Sequence, residues 1–281
     1  MTIIPEQEWE SISEELKSIK GPVMIIGATD SGKSSFAKFL LRTFIEDNLK
    51  ISLVDSDVGQ SSIGLPGTIS MKVFRNEKDL EDFSFERMSY VGTVNPGIKI
   101  PLIIDTTKLM TEICMKNSEV TLLDTSGLVA GEIGKNLKIS KIKTIKPEYI
   151  IAIQREQELE HILELVGAGH IRRIRVSRMA RARNKEERIQ YRKKKSEDYF
   201  SKGKLEEYII FKKTTRFFYN GNFFNLKSGD FPEGTLIGLN HYEETLSLGV
   251  ITETEDDCII FKSPVQSLKN VNKVVFGDII V

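Results

Sequence analysis

Eight residues near the N-terminus limit the folds open to this chain more than anything else in it. Gly27-Ala28-Thr29-Asp30-Ser31-Gly32-Lys33-Ser34 satisfies the pattern GxxxxGK[ST] at every fixed position. Glycines let such a loop turn tightly and aim backbone N–H groups at phosphate oxygens, which side chains would obstruct. The preceding run Val23-Met24-Ile25-Ile26 has the continuous hydrophobicity of a strand buried on both faces, and Phe36, Phe39, Leu40 and Phe44 recur at helical spacing after it. The loop therefore leads into a helix N-terminus, whose positive end favours anions. These residues predict a nucleoside triphosphate site made by Gly27, Thr29, Asp30, Ser31, Gly32, Lys33, Ser34 and Ser35, with Lys33 reaching the β- and γ-phosphates and the Ser34 hydroxyl placed to hold Mg²⁺. The motif does not separate ATPase, GTPase and kinase.

Apolar runs of strand length recur at Ile51–Val54, Val120–Leu123 and Tyr149–Ile153, with helical stretches near Leu102–Met115, Leu137–Ile145 and Glu158–Val166 between and after them. This alternation predicts an α/β fold of the P-loop NTPase type, a mostly parallel sheet flanked by helices. Ligands of such sheets bind beyond the carboxyl ends of the strands. An amphipathic helix carrying Trp9, Ile12, Leu16 and Ile19 precedes the first strand and stops at Gly21-Pro22. From about Leu205 the texture changes to short β-branched and aromatic runs, at Tyr208–Phe211, Phe217–Tyr219, Leu246–Ile251, Cys258–Phe261 and Val274–Ile280, separated by Asn-Gly, Ser-Gly-Asp and Glu-Asp-Asp turns. These predict a small C-terminal β-rich module of antiparallel strands. The expected organisation is an N-terminal helix over 1–20, a P-loop domain over 21–203 and the β module over 204–281.

Two more strand ends carry carboxylates. Val54-Asp55-Ser56-Asp57-Val58-Gly59-Gln60 places Asp55 and Asp57 where a carboxylate can hold Mg²⁺ or orient an attacking hydroxyl, with Gln60 one turn on. Leu123-Asp124-Thr125-Ser126-Gly127 ends a third strand in DxxG, a way to set a second Mg²⁺ carboxylate, Asp124, and a backbone N–H beside a γ-phosphate. Three strand ends converging on one triphosphate form a constellation that random turns seldom reproduce.

Composition narrows the setting. The 281 residues include 40 Lys+Arg and 40 Asp+Glu, with only two Cys and three His. Cys114 and Cys258 are far apart, and His161, His170 and His241 have no metal-ligand spacing, so neither a disulfide framework nor a zinc site is indicated. The N-terminal sequence has no basic segment followed by an apolar run, and the expectation is a cytoplasmic protein. The zero net charge hides an asymmetry. Ile171 to Lys195 holds 12 basic residues against 2 acidic ones, leaving 28 basic against 38 acidic elsewhere. The stretch from Arg178 to Arg192 has few breakers and reads as helical, with Arg188 and Arg192 on one face and Arg183 about 140° away on a straight helix. A positioned arginine can stabilise a moving phosphoryl group, so Arg183, Arg188 and Arg192 in the basic stretch over about 171–200 are candidate catalytic groups.

Ala28-Thr29-Asp30-Ser31-Gly32-Lys33-Ser34 followed by DSDVGQSSIGLPGTIS (Asp55–Ser70) resembles the polynucleotide 5′-hydroxyl-kinase family, whose members include RNA kinases of tRNA splicing, mRNA 3′-end cleavage and rRNA processing and shorter prokaryotic forms. The likeness continues through Tyr90-Val91-Gly92, Asn95-Pro96, Thr125-Ser126-Gly127, Gly131 and Gly134 to Tyr199-Phe200. It implies that Lys33 and Ser34 handle phosphate and Mg²⁺, that Asp57 is the general base for the 5′-hydroxyl, that Gln60, Thr125, Gly127 and Leu128 contact the substrate, and that the Arg-rich helix closes over the phosphates. Leu128 stands where family members commonly carry the Trp of Thr-x-Gly-Trp, which clasps the terminal nucleotide. A base-stacking aromatic contributes about 1–3 kcal/mol, which Leu128 does not supply.

The resulting expectation is transfer of the γ-phosphoryl group of ATP, with Mg²⁺, to the 5′-hydroxyl of an RNA or DNA end, with single-stranded nucleic acid as partner. The alternative is a nucleotide-dependent switch or assembly ATPase or GTPase that acts through partner binding, which DxxG and Leu128 favour.

Overall fold

A computed structural model describes residues 4–167 and 169–281. The chain runs α1 (Gln7–Leu16), β1 (Gly21–Gly27), α2 (Lys33–Glu46), β2 (Ile51–Ser56), β3 (Thr68–Phe74), α3 (Glu77–Glu81), β4 (Arg87–Tyr90), α4 (Ile100–Met115), β5 (Val120–Thr125), α5 (Gly131–Ile145), β6 (Tyr149–Gln154), α6 (Glu160–Leu163), β7 (His170–Arg175) and α7 (Lys185–Ser201). Seven strands follow: β8 (Glu206–Phe211), β9 (Arg216–Tyr219), β10 (Asn222–Phe223), β11 (Thr235–His241), β12 (Glu244–Thr254), β13 (Cys258–Ser263) and β14 (Lys273–Ile280). No helix among the described residues is long and apolar enough to cross a membrane.

The first sheet has the order β4-β3-β2-β5-β1-β6-β7. Strands β2, β5, β1, β6 and β7 are parallel, and β3 and β4 join antiparallel at one edge. β1, β2, β5 and β6 are buried along nearly their whole length because apolar clusters lie on both faces. One cluster receives α1, whose Trp9 ring meets Phe36 of α2 edge-on at 5.0 Å between centroids. The register sets Asp55 opposite Asp124 and Ile25 opposite Asp124, so the loops after β1, β2 and β5 leave the sheet side by side.

The second sheet has the order β10-β9-β14-β11-β12-β13-β8. It is not wholly antiparallel as the sequence suggests: β9 and β14 pair in parallel, which the long connection between them permits. This sheet is sewn onto β4. The Tyr90 hydroxyl donates to the Leu236 carbonyl at 2.9 Å, the Tyr90 N–H donates to Thr245 Oγ1 at 2.8 Å, and Leu65, Met88 and Tyr90 share an apolar cluster with Leu236, Leu248 and Val275. Gly92 and Gly277 meet backbone to backbone, for a Cβ on Gly92 would stand 2.7 Å from the Gly277 Cα.

The basic stretch divides differently from the expectation. Its first part is the edge strand β7, so Arg172, Arg173 and Arg175 belong to the sheet, where Arg173 donates to both carboxylate oxygens of Glu160 at 2.9 and 2.7 Å. Charged side chains on an edge strand discourage further strand pairing. The helix does not begin at Arg178. Asn184 caps it, accepting from the Glu187 N–H while Glu187 accepts from the Asn184 N–H, and this reciprocal box starts α7 at Lys185. Arg183 therefore lies ahead of the helix, and its angular distance from Arg188 on a straight helix does not apply.

Candidate active site at the converging strand ends

The loop between β1 and α2 wraps around the N-terminus of α2. Gly32 caps the helix at φ +90°, a left-handed conformation that suits glycine, and a Cβ on Gly27 would stand 2.5 Å from Ser31 Oγ and 2.7 Å from the Ile153 carbonyl. Lys33 Nζ donates to the carbonyls of Gly27 at 3.0 Å and Ala28 at 2.8 Å, and its burial lowers the pKa of the ammonium. Thr29 and Asp30 lie on the outer arc of the loop, and Ser34 and Ser35 lie half-buried in the first turn of α2.

Ser34 Oγ donates to Asp124 Oδ2 at 2.5 Å. Burial and the neighbouring Asp55 push the Asp124 carboxyl up to about 7. Five buried side-chain polar atoms lack a hydrogen-bond partner among the described residues, and three of them, Ser31 Oγ, Asp124 Oδ1 and Ser126 Oγ, belong to the loops that converge here. Unsatisfied buried polar atoms are rare, and three together call for a polar ligand. A serine hydroxyl beside a carboxylate is the hard-oxygen donor set that suits Mg²⁺, so Ser34 and Asp124 fit that ion.

The two aspartates at the end of β2 have different surroundings. Asp55 is fully buried, and its Oδ2 accepts from Ser61 Oγ at 3.0 Å, Ser62 N at 2.5 Å, Ser62 Oγ at 2.8 Å and Ile63 N at 3.3 Å, while Oδ1 accepts from Asp57 N at 3.1 Å. Its oxygens take all of these bonds from the 57–63 loop and hold it in shape. Asp57 accepts from the N–H groups of Gly59 and Gln60 at 3.0 Å through Oδ1 alone, which leaves Oδ2 available to other chemistry.

The turn after β5 is pressed onto the phosphate loop. A Cβ on Gly127 would stand 2.4 Å from Thr29 Oγ1 and 2.6 Å from the Thr29 nitrogen, so only glycine fits. Gly127→Ala is expected to weaken Mg-nucleotide binding at least tenfold by displacing the loop, read by calorimetry; an unchanged affinity would show that the contact is dispensable. Thr125 is buried with its hydroxyl donating to the Ile25 carbonyl at 2.8 Å, which ties the turn to β1. Leu128 packs partly buried on the core beside it.

From the other side α7 reaches over the site. Arg188 Nη2 donates to Asp30 Oδ2 at 2.6 Å, and the Arg183 N–H donates to the same oxygen at 3.1 Å. Arg183 Nη1 donates to Gln60 Oε1 at 3.3 Å, and Gln60 Nε2 donates to the Arg188 carbonyl at 3.3 Å. Tyr191 and Lys195 add donors to the Ser61 and Ser62 carbonyls at 2.8 and 2.7 Å. Arg192 makes no side-chain hydrogen bond among the described residues, and its partial burial with Arg188 nearby lowers its pKa.

A family model described as the mRNA cleavage and polyadenylation factor CLP1 P-loop matches residues 27–202, the stretch that holds every loop described above. The chain belongs to the CLP1 P-loop family. Similar curated proteins include a polyribonucleotide 5′-hydroxyl-kinase of Pyrococcus horikoshii, 35% identical over 211 residues that make up 74% of this chain and 57% of the relative. A second, from Methanocaldococcus jannaschii, is 33% identical over 73% of this chain and 57% of its own length. The chain thus spans little more than half the length of these curated relatives. A Clp1p solved in complex with Pcf11p superposes with a TM-score of 0.76 at 12% identity, covering 98% of this chain and 79% of that one, and shows the same fold.

Within this CLP1 P-loop fold the structure brings together Lys33, Ser34, Asp57, Gln60, Asp124, Gly127, Arg183 and Arg188. Sequence reasoning gave no role to Tyr191, Lys138 and Lys141, and gave Asp30 only a place in the phosphate loop. Asp30 is the anchor of the lid and not only a loop residue, a role without local signal because its partners lie more than 150 positions away. Tyr191 donates its hydroxyl to the Ser61 carbonyl of the 57–63 loop, from a stretch whose charge dominates its sequence pattern. Lys138 and Lys141 carry no local signal of burial, yet both are fully buried.

Proposed function

We propose that this chain is an ATP-dependent polynucleotide 5′-hydroxyl kinase, with RNA ends favoured over DNA ends because the similar archaeal proteins are named polyribonucleotide kinases. In this reading residues 21–203 carry the chemistry, flanked by the helix over 1–20 and the β module over 204–281. The observation that carries it is the link from lid to base: Arg183 donates to Gln60, whose N–H donates to Asp57. A water-activating switch has no need of a carboxylate linked in this way to a lid arginine.

The 5′-hydroxyl oxygen forms a bond to the γ-phosphorus as the bond to the β,γ-bridging oxygen breaks, the hydroxyl proton passes to Asp57 Oδ2, and ADP leaves. Lys33 and the N–H groups of the phosphate loop hold the β- and γ-oxygens. Ser34 and Asp124 would hold Mg²⁺, which supplies charge neutralisation on the phosphates. Arg188, which pairs with Asp30 of the phosphate loop at 2.6 Å, would exchange that carboxylate oxygen for a phosphate oxygen.

The test is transfer from γ-labelled ATP to matched oligonucleotides, RNA and DNA, ending in a 5′-hydroxyl or a 5′-phosphate. Label on the hydroxyl-ended strands alone, abolished in Lys33→Ala, is the expected result. Release of phosphate without transfer would replace the kinase by the nucleotide-dependent switch.

A further inference from the structure

Two fully buried cations beneath the site are not used by the chemistry above. Lys138 and Lys141, one turn apart on α5, are each 0% exposed, and their ammonium groups donate to neutral oxygens. Lys138 Nζ donates to Thr125 Oγ1 at 2.9 Å and to the Ser126 carbonyl at 2.5 Å, and Lys141 Nζ donates to Ser56 Oγ at 2.9 Å. Burying an ammonium without a directly bonded carboxylate is unfavourable, and a methionine of similar length would fill the same space at lower cost. Burial accordingly pulls both pKa values down, Lys141 to about 8, with Asp57, Asp55 and Asp124 opposing the shift there.

Their partners explain what such an unfavourable placement does. A hydroxyl has one hydrogen to donate, while an ammonium can only donate. Each lysine therefore obliges its hydroxyl to accept from it, and the hydroxyl hydrogen is directed to a carbonyl on the neighbouring strand. Ser56 Oγ donates to the Asp124 carbonyl at 2.9 Å and so staples the end of β2 to β5; Thr125 Oγ1 donates to the Ile25 carbonyl at 2.8 Å and so staples the end of β5 to β1. These strand ends carry Asp57, Asp124, Gly127 and the phosphate loop.

We propose that Lys138 and Lys141 are positioning residues of the site: Lys141 fixes the Ser56–Asp57 end of β2 against Asp124, and Lys138 fixes the Thr125–Gly127 turn against the phosphate loop. The kinetic part of this proposal rests on the kinase reading; the structural part does not.

Lys138→Met and Lys141→Met test it, since methionine keeps the length and removes the donor. The melting temperature is expected to stay level or rise in both. Amide hydrogen exchange is expected to quicken at least tenfold over 125–129 in Lys138→Met and over 56–60 in Lys141→Met, with α5 itself unchanged. In Lys141→Met, kcat for transfer falls tenfold or more while KM for ATP moves less than threefold. Unchanged exchange in those segments, or a kcat within twofold of the parent, overturns the proposal. So does a lower melting temperature with faster exchange throughout α5, which would make the lysines packing groups. If the unmodified protein transfers no phosphate, the kinase reading fails alone and the exchange measurements still decide this one.

Discussion

Asp57→Asn is expected to slow phosphoryl transfer by about 10²–10⁴-fold, the range a positioned general base contributes, while affinity for Mg-ATP stays within a fewfold of the parent. The reason for the separation is that Asp57 does two things with different atoms. Oδ1 accepts from Gly59 and Gln60, and an asparagine oxygen accepts the same two bonds, so the loop keeps its shape. Oδ2 makes no hydrogen bond among the described residues and is replaced by an amide that cannot take a proton. Single-turnover transfer and calorimetric ATP binding, measured on the same preparation, decide the matter. A variant that transfers at a tenth of the parent rate or better would move the base elsewhere, and one that loses ATP affinity in parallel would make Asp57 part of the nucleotide site.

Arg188→Ala is expected to cost about 10³-fold or more in turnover at saturating ATP and oligonucleotide, since a guanidinium placed on the transferring group contributes 10³–10⁵. Among the three lid arginines, Arg188 is the one whose side chain is bonded to the phosphate loop itself, through Asp30, and it lies within the first turn of a helix that Asn184 caps firmly. Arg183 touches Gln60, so its removal is expected to act more on the nucleic-acid end, and Arg192 is one turn further from the loop. Rapid-quench turnover of the three alanine variants ranks them. Equal rates in all three and in the parent would leave the lid without a catalytic part.

The elements legible in the sequence are those whose neighbours are also near in sequence. The phosphate loop announces itself because strand, glycines, lysine and helix are contiguous, and β1, β2, β5 and β6 stand out as unbroken apolar runs because helices cover both faces of the sheet. β7 escaped because its Arg172, Arg173 and Arg175 mask Ile171 and Ile174, which are its only apolar positions. β3, though fully buried, is interrupted by Lys72, whose ammonium reaches out to Asp82. The start of α7 was legible and overlooked, since Asn184-x-x-Glu187 is a capping box. The division of labour between Asp55 and Asp57 was not legible: two residues apart on one strand end, they differ only in which loop atoms surround them. The same holds for Lys138 and Lys141, whose helix has a weakly amphipathic pattern and gives no sign that its lysines point inward.

The seam between the two sheets has an evolutionary reading. The region recognised across the family ends at residue 202, but Tyr90, Met88 and Leu65 inside it are covered by Leu236, Leu248 and Val275 beyond it. What is inherited as one block is therefore not what can be cut out as one block. The strands beyond residue 202 are free to vary on their outward faces, while their inner face must keep fitting the Tyr90 ring.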